Sequence, residues 1–160
     1  MKIAKITPFL WFDHQAEEAA KLYTRVFENS KIGKVVRNSE AAPGPTGGVF
    51  TVQFWLDGLE FTALNGGPHF TFNEAVSFVV HCETQQEVDY YWDALLAGGG
   101  QPSQCGWLKD RFGLSWQIVP TVLLELIGDP DPQRAQRATA AMMKMVKLDI
   151  ETLQKAADGA

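Results

Sequence analysis

The chain holds three imidazoles, and spacing limits what each can do. His14 falls in the first turn of a predicted helix, where a solvated side chain is the default. His69 lies in a linker after Asn65-Gly66-Gly67-Pro68. His81 ends a predicted strand on the same side as Ser77 and Val79, so it is the histidine placed to meet a ligand, as an acid or base or as a hydrogen-bonded strand-end residue. Cys105, beside Gly106-Trp107, is a nucleophile only as a thiolate with a base opposite it. No Cys/His pairing is visible, and a packed thiol is expected. Asp110 and Arg111 sit at the turn into a late strand and are expected to fix that hairpin by a local ion pair, with anion binding as the secondary reading. Five tryptophans are many for this length. Trp11, Trp55 and Trp107 share the strand parity of neutral polar residues, a combination that suits a flat or amphipathic small molecule. The alternative is that these rings fill a closed sheet core.

The elements that must position these groups occur twice. Ala19, Leu22, Tyr23, Val26 and Phe27 have the spacing of one buried helix face, and Val88, Tyr91, Trp92, Leu95 and Leu96 repeat it 69 positions later. Each set follows a short apolar strand, Ile6–Leu10 and Val76–Val80. Last strands correspond too, Gly58–Leu64 and Gly113–Val119. Each module reads strand, helix, then several strands, and a long period present twice predicts a pseudo-symmetric pair with a site between equivalent strands.

Asp13 suits the N-cap of the first helix, which should end near Glu28, with Glu17 and Lys21 pairing on its outer face. Thr84-Gln85-Gln86-Glu87 is a capping-box pattern and Gly98-Gly99-Gly100 a stop, which predicts a second helix over Gln85–Ala97. Strands are expected at Lys31–Arg37, Val49–Leu56 and Leu59–Leu64, with Asp57-Gly58 as a hairpin turn. The Pro- and Gly-rich stretch 39–48 reads as a mobile hairpin loop, with a lid as the less favoured reading. Beyond the second module, Pro120 at a first helical position and Gly128 bracket a short helix. Asp131-Pro132 opens another whose stripe includes Ala138, Met142, Met145 and Val146, and Asp149 caps a last one through Ala157. That stripe needs cover, either the chain's own sheet or a second subunit.

At 160 residues, 46% hydrophobic and 21% charged, the chain has the make-up of a globular domain. A net charge of −5 argues against a nucleic-acid partner. No apolar run is long enough to span a bilayer, so no membrane partner is expected. Met1-Lys2-Ile3-Ala4-Lys5 leads straight into a strand with no export signal, so a cytoplasmic location is expected, with Cys82 and Cys105 as free thiols.

The duplicated module is similar to the vicinal oxygen chelate superfamily, which includes glyoxalase I, extradiol dioxygenases and bleomycin-resistance proteins. More narrowly, Thr7-Pro8-Phe9-Leu10-Trp11-Phe12-Asp13, Leu64-Asn65-Gly66-Gly67-Pro68, Gly106–Gly113 through Trp116–Pro120, and Lys147-Leu148-Asp149-Ile150 resemble the PhnB-like family, often catalogued as 3-demethylubiquinone-9 3-methyltransferase. The resemblance implies an α+β fold of two βαβββ modules, at 1–67 and 74–119, within one domain, with an added helical segment at 120–160. It also implies a homodimer. Metal-dependent members of the superfamily ligate a divalent ion from the first and last strands of each module. Carried over by the internal repeat, those positions are Thr7, Thr62, Ser77 and Gln117, which offer neither carboxylate nor imidazole; no metal is expected. The Gly clusters do not make the strand-to-helix turn that commonly holds S-adenosylmethionine, and no cofactor is expected.

These readings converge on a metal-independent small-molecule-binding protein. Strand parity predicts that Thr7, Gln53, Trp55, Thr62, Ser77, Trp107 and Gln117 line one concave pocket, with Asn65 and His81 at its rim, while Trp116 faces the helices. The alternative is an enzyme of the same superfamily, a lyase, isomerase or dioxygenase, or a methyltransferase as the family label has it. His81 or Glu60 would then supply acid–base chemistry.

Overall fold

A computed structural model describes residues 3–160. Met1 and Lys2, the start of the stretch read as leading into the first strand, lie outside the described residues. Two compact units divide at Phe72/Asn73.

The first unit contains β1 (Phe9–Phe12), α1 (Ala16–Val26), β2 (Lys31–Arg37), β3 (Val49–Leu56) and β4 (Leu59–Asn65). They form a four-stranded mixed sheet in the order β1-β4-β3-β2, with β1 parallel to β4. The apolar parity of β3 and β4 puts Val52, Phe54, Phe61 and Ala63 fully or almost fully out of solvent, joined by Leu10 and Phe12 of β1. The α1 stripe of Ala16, Ala19, Ala20, Leu22, Tyr23 and Val26 is equally buried, with the Tyr23 and Phe54 rings 6.2 Å apart. Small alanines let the helix sit close to the sheet, and burial of this face is what selects the strand register.

The predicted bounds of β2 and β3 hold, and the β3–β4 turn has positive φ at both Asp57 (46°) and Gly58 (79°), the conformation a tight hairpin of this twist requires. Two expectations are corrected. The first strand begins at Phe9 rather than Ile6, and Ile6 is 86% exposed: an apolar residue is no proof of burial. The first helix is not capped by Asp13; its N-cap is Gln15, whose side chain makes no capping bond, and Asn65 Oδ1 accepts from Ala16 N at 2.8 Å instead. Glu17 and Lys21 do pair, at 2.9 Å. The 39–48 segment is the β2–β3 hairpin loop, and it is tied at its base: Asn38 N donates to Gly48 O, Gly47 N to Asn38 O, and Asn38 Nδ2 to Pro45 O.

The second unit contains β5 (Ser77–Cys82), α2 (Gln85–Leu96), β6 (Gln101–Pro102), β7 (Trp107–Lys109), β8 (Ser115–Pro120), α3 (Thr121–Ile127), α4 (Pro132–Met142) and α5 (Ile150–Asp158). Its sheet order, β5-β8-β7-β6 with β5 parallel to β8, repeats that of the first unit. Thr84 Oγ1 accepts from Glu87 N at 3.1 Å, the cap that the sequence pattern predicts. Val88, Trp92 and Leu95 of α2 are buried, as are Leu108, Trp116 and Ile118 of the sheet.

The added helices bury Leu123, Leu126, Ala138, Leu153 and Ala157 with Val119 and Leu148; Met142 and Met145 pack against that cluster. So the Met stripe finds cover within its own unit, except that α4 stops at Met142 and Val146 is exposed. Pro120 ends β8 and caps α3 rather than opening it. The Lys147–Ile150 run is clamped by α2: Gln85 Nε2 donates to Leu148 O at 3.1 Å, Gln85 Oε1 accepts from Ile150 N at 2.8 Å, and Lys147 pairs with Asp89 at 2.8 Å. Asp149 caps α5 through Thr152 N. No helix among the described residues is long and apolar enough to cross a membrane.

Candidate functional site

With one sheet face committed to its helix in each unit, the opposite parity carries the candidate site residues. In the first unit the ladder places Phe9, Thr62 and Gln53 in one row across β1, β4 and β3. The next row is Trp11, Leu64 and Thr51, and towards the β3–β4 turn lies Lys31, Trp55 and Glu60. Gln53 Nε2 donates to Glu60 Oε1 at 2.7 Å and Gln53 Oε1 takes a longer bond from Lys34 N. Thr62 is half-buried beside them. Thr7 precedes β1 by two residues, although the chain already follows β4 there, since Thr62 N donates to Pro8 O.

In the second unit the corresponding row is Val79, Gln117 and Trp107 across β5, β8 and β7, followed by Ser77, Ser115 and Lys109. Gln117 Nε2 donates to Ser77 Oγ at 2.9 Å, so two of the expected site residues are bonded. Ser115 Oγ is buried and makes no hydrogen bond. His81 is exposed at the end of the same face, and Lys109 pairs with Glu74, whose carboxyl that bond holds below the usual range. The two ladders agree residue for residue. Phe9 pairs with Thr62 as Val79 pairs with Gln117, which makes Thr7 and Ser77 equivalent two residues earlier. Phe9 and Val79, the equivalent apolar residues of the two faces, are 58% and 44% exposed.

Two expected site residues have structural work as well. Both ends of the Asn65 amide are engaged, Oδ1 with Ala16 N and Nδ2 with Val49 O at 3.0 Å. The Trp55 indole lies against Gly33, where a Cβ would come within 2.5 Å of Cζ3. Trp11 is held in the same manner over Gly66, with Nε1 donating to Gly67 O. Trp116 is 3% exposed on the helix side of its sheet, as parity predicts.

Asp110 does more than the sequence suggests: Oδ1 accepts from Phe112 N and Leu114 N, and Oδ2 from Trp116 Nε1 at 2.9 Å. The Arg111 guanidinium lies 4.9 Å from the centre of the Phe112 ring. Lys31, whose ammonium is 4.9 Å from the centre of the Trp55 ring, was not singled out by sequence, because its partner depends on strand register. His14 is exposed beside Asp13, and His69 is exposed. Both cysteines are free; Cys105 is half-buried with its Sγ 3.9 Å from Met143 Sδ. Among the described residues no three His, Cys, Asp or Glu side chains gather at ligand spacing. The strand-to-helix turns, Asp13-His14-Gln15 and Glu83-Thr84, contain no glycine.

A family model described as 3-demethylubiquinone-9 3-methyltransferase matches residues 4–119. Among solved structures, the PhnB protein of Bacillus cereus is 37% identical with a TM-score of 0.67, over 74% of this chain and 100% of that one. A protein from Pseudomonas aeruginosa is 18% identical with a TM-score of 0.59, over 74% and 98% of the two chains. The fosfomycin resistance protein FosX of Listeria monocytogenes is 15% identical with a TM-score of 0.56, over 78% and 97%, a likeness of fold. Among curated proteins, none matches.

Proposed function

This chain belongs to the 3-demethylubiquinone-9 3-methyltransferase family of the vicinal oxygen chelate superfamily, and from that premise we propose that it binds a small organic molecule on the open faces of its sheets without a metal ion. The observation that carries this reading is the Gln117–Ser77 pair beside Trp107, whose pseudo-symmetric counterpart is Thr62 and Thr7 beside Gln53, with the exposed Phe9 ring in the same row. These are neutral hydrogen-bonding groups set beside aromatic surface, the make-up of a site for a flat, weakly polar ligand.

Thr7, Thr62, Ser77 and Gln117 supply hydroxyls and one carboxamide, none of them ionised, and the carboxamide nitrogen is donating to Ser77. That donor set does not fit a divalent transition-metal ion, which takes imidazole, thiolate or carboxylate. Nor do glycine-free strand-to-helix turns fit the usual cradle for S-adenosylmethionine, so the family's label is not adopted as the activity. The protein is read as a cytoplasmic homodimer. Two unbridged thiols suit a reducing compartment, and the α3 face carrying exposed Leu124 and Ile127 suits a subunit contact.

Native mass spectrometry of freshly purified protein tests subunit number, metal and co-purified ligand together. The expected species is a metal-free dimer that retains a small molecule. Gln117→Leu should strip that molecule with little loss of stability, because a half-buried amide bond contributes only about 1 kcal/mol. One metal ion per subunit, lost in Gln117→Ala, would reverse the reading.

A further inference from the structure

The row Lys31, Trp55, Glu60 ends beside a cavity of about 340 Å³, lined by Asn29, Ser30, Lys31, Trp55 and Gly58. We propose that this cavity binds a planar carboxylate, an aromatic acid whose ring stacks on Trp55 and whose anionic group meets the Lys31 ammonium. The proposal shares with the reading above the assignment of this face of the first sheet to a ligand, with Gln53 in the row beside Trp55.

Three observations support it. First, the indole is pre-positioned: it rests on the bare backbone of Gly33, and a methyl group there would collide with Cζ3 at 2.5 Å and approach Cη2 and Gln53 Oε1 at 3.0 Å. A ring fixed in this way loses little freedom when a second ring stacks on it. Secondly, the Lys31 ammonium lies 4.9 Å from the Trp55 centroid and makes no ion pair among the described residues. It is therefore a cation held at an aromatic surface and free to take an anion. On a chain of net charge −5, such a local cation is what makes a surface acceptable to a carboxylate. Thirdly, the neighbouring carboxylate is already engaged, since Glu60 Oε1 accepts from Gln53 Nε2 at 2.7 Å and Glu60 does not line the cavity. The volume lies near the lower end of the range for small-molecule pockets, about 300 to 1,000 Å³, which suits one substituted ring rather than an extended ligand.

Isothermal titration of the full chain with benzoate and with benzamide, its uncharged isostere, tests the proposal. Benzoate should bind with a dissociation constant on the order of 1 mM, given its few heavy atoms, and benzamide about tenfold more weakly. Lys31→Met, an exposed substitution that keeps the aliphatic stem, should weaken benzoate about tenfold and leave benzamide unchanged; Lys31→Arg should restore binding. Gly33→Ala should weaken both probes by displacing the indole. Gln117→Leu should leave benzoate unaffected, which separates failure here from failure of the site read around Gln117. No saturable benzoate binding at tens of millimolar, equal binding of the two probes, or an unchanged Lys31→Met variant would overturn the proposal.

Discussion

Trp116 donates its indole N–H to Asp110 Oδ2 at 2.9 Å, and both residues are 3% exposed. The same carboxylate accepts from Phe112 N and Leu114 N, so one side chain closes the turn between β7 and β8 and anchors the ring that fills the space under α2. Trp107 and Gln117, which the proposed site uses, are cross-strand partners on that hairpin, facing the other way. A core contact thereby sets the register of the site.

Substitutions at this contact should act on stability in graded fashion. Trp116→Ala should cost about 3 to 5 kcal/mol, the range for removing a fully buried large aromatic side chain. Trp116→Phe keeps most of the ring but removes the indole donor to a buried carboxylate and should cost about 1 to 3 kcal/mol beyond the lost volume. Urea unfolding measures both. A Trp116→Phe variant as stable as the parent would mean that the indole hydrogen bond contributes nothing.

Asn65 offers a second test, since its amide replaces the cap that Asp13 does not supply. Asn65→Ala removes the acceptor for Ala16 N and the donor to Val49 O, and should lower stability by about 1 to 2 kcal/mol. Asp13→Ala should change it by less than about 0.5 kcal/mol. The reverse order in thermal melts would restore Asp13 as the cap.

The contrast between these residues shows what the sequence could disclose. Period-two alternation around Trp116 and Gln117 assigned each to its face, because the rule is local and the apolar set is long. The internal repeat correctly related the two sheets, and the ladders reproduce its strand correspondence, with Phe9–Thr62 in one sheet matching Val79–Gln117 in the other. The start of the first strand at Ile6 is not borne out, because only packing decides which apolar residues a strand retains, and Ile6 is exposed. Asn65 was legible as a family motif residue but not as a cap, since its partner Ala16 lies 49 positions away. The Lys31–Trp55 contact was hidden for the same reason: it exists only once β2 and β3 are in register.

Cys82 carries the pH prediction. It is fully buried, and desolvation pushes its thiol from 9.0 up to about 12, with the Glu87 carboxylate adding a smaller push in the same direction. The folded chain thus holds this proton more tightly than the unfolded chain does. The stability so conferred is complete below about pH 9, where both states are protonated, and is lost as pH rises from there toward 12. Within that window this one group should remove about 1.4 kcal/mol of stability per pH unit, a component that the Cys82→Ala variant lacks. At pH 8 the folded protein should leave Cys82 unmodified by iodoacetamide while the half-buried Cys105 reacts, and Cys82 should become labelled only after unfolding in urea. Peptide mapping by mass spectrometry distinguishes the two thiols. Rapid native labelling of Cys82, or identical alkaline stability profiles for the parent and Cys82→Ala, would show that the thiol is not held neutral by burial between β5 and the helix that follows it.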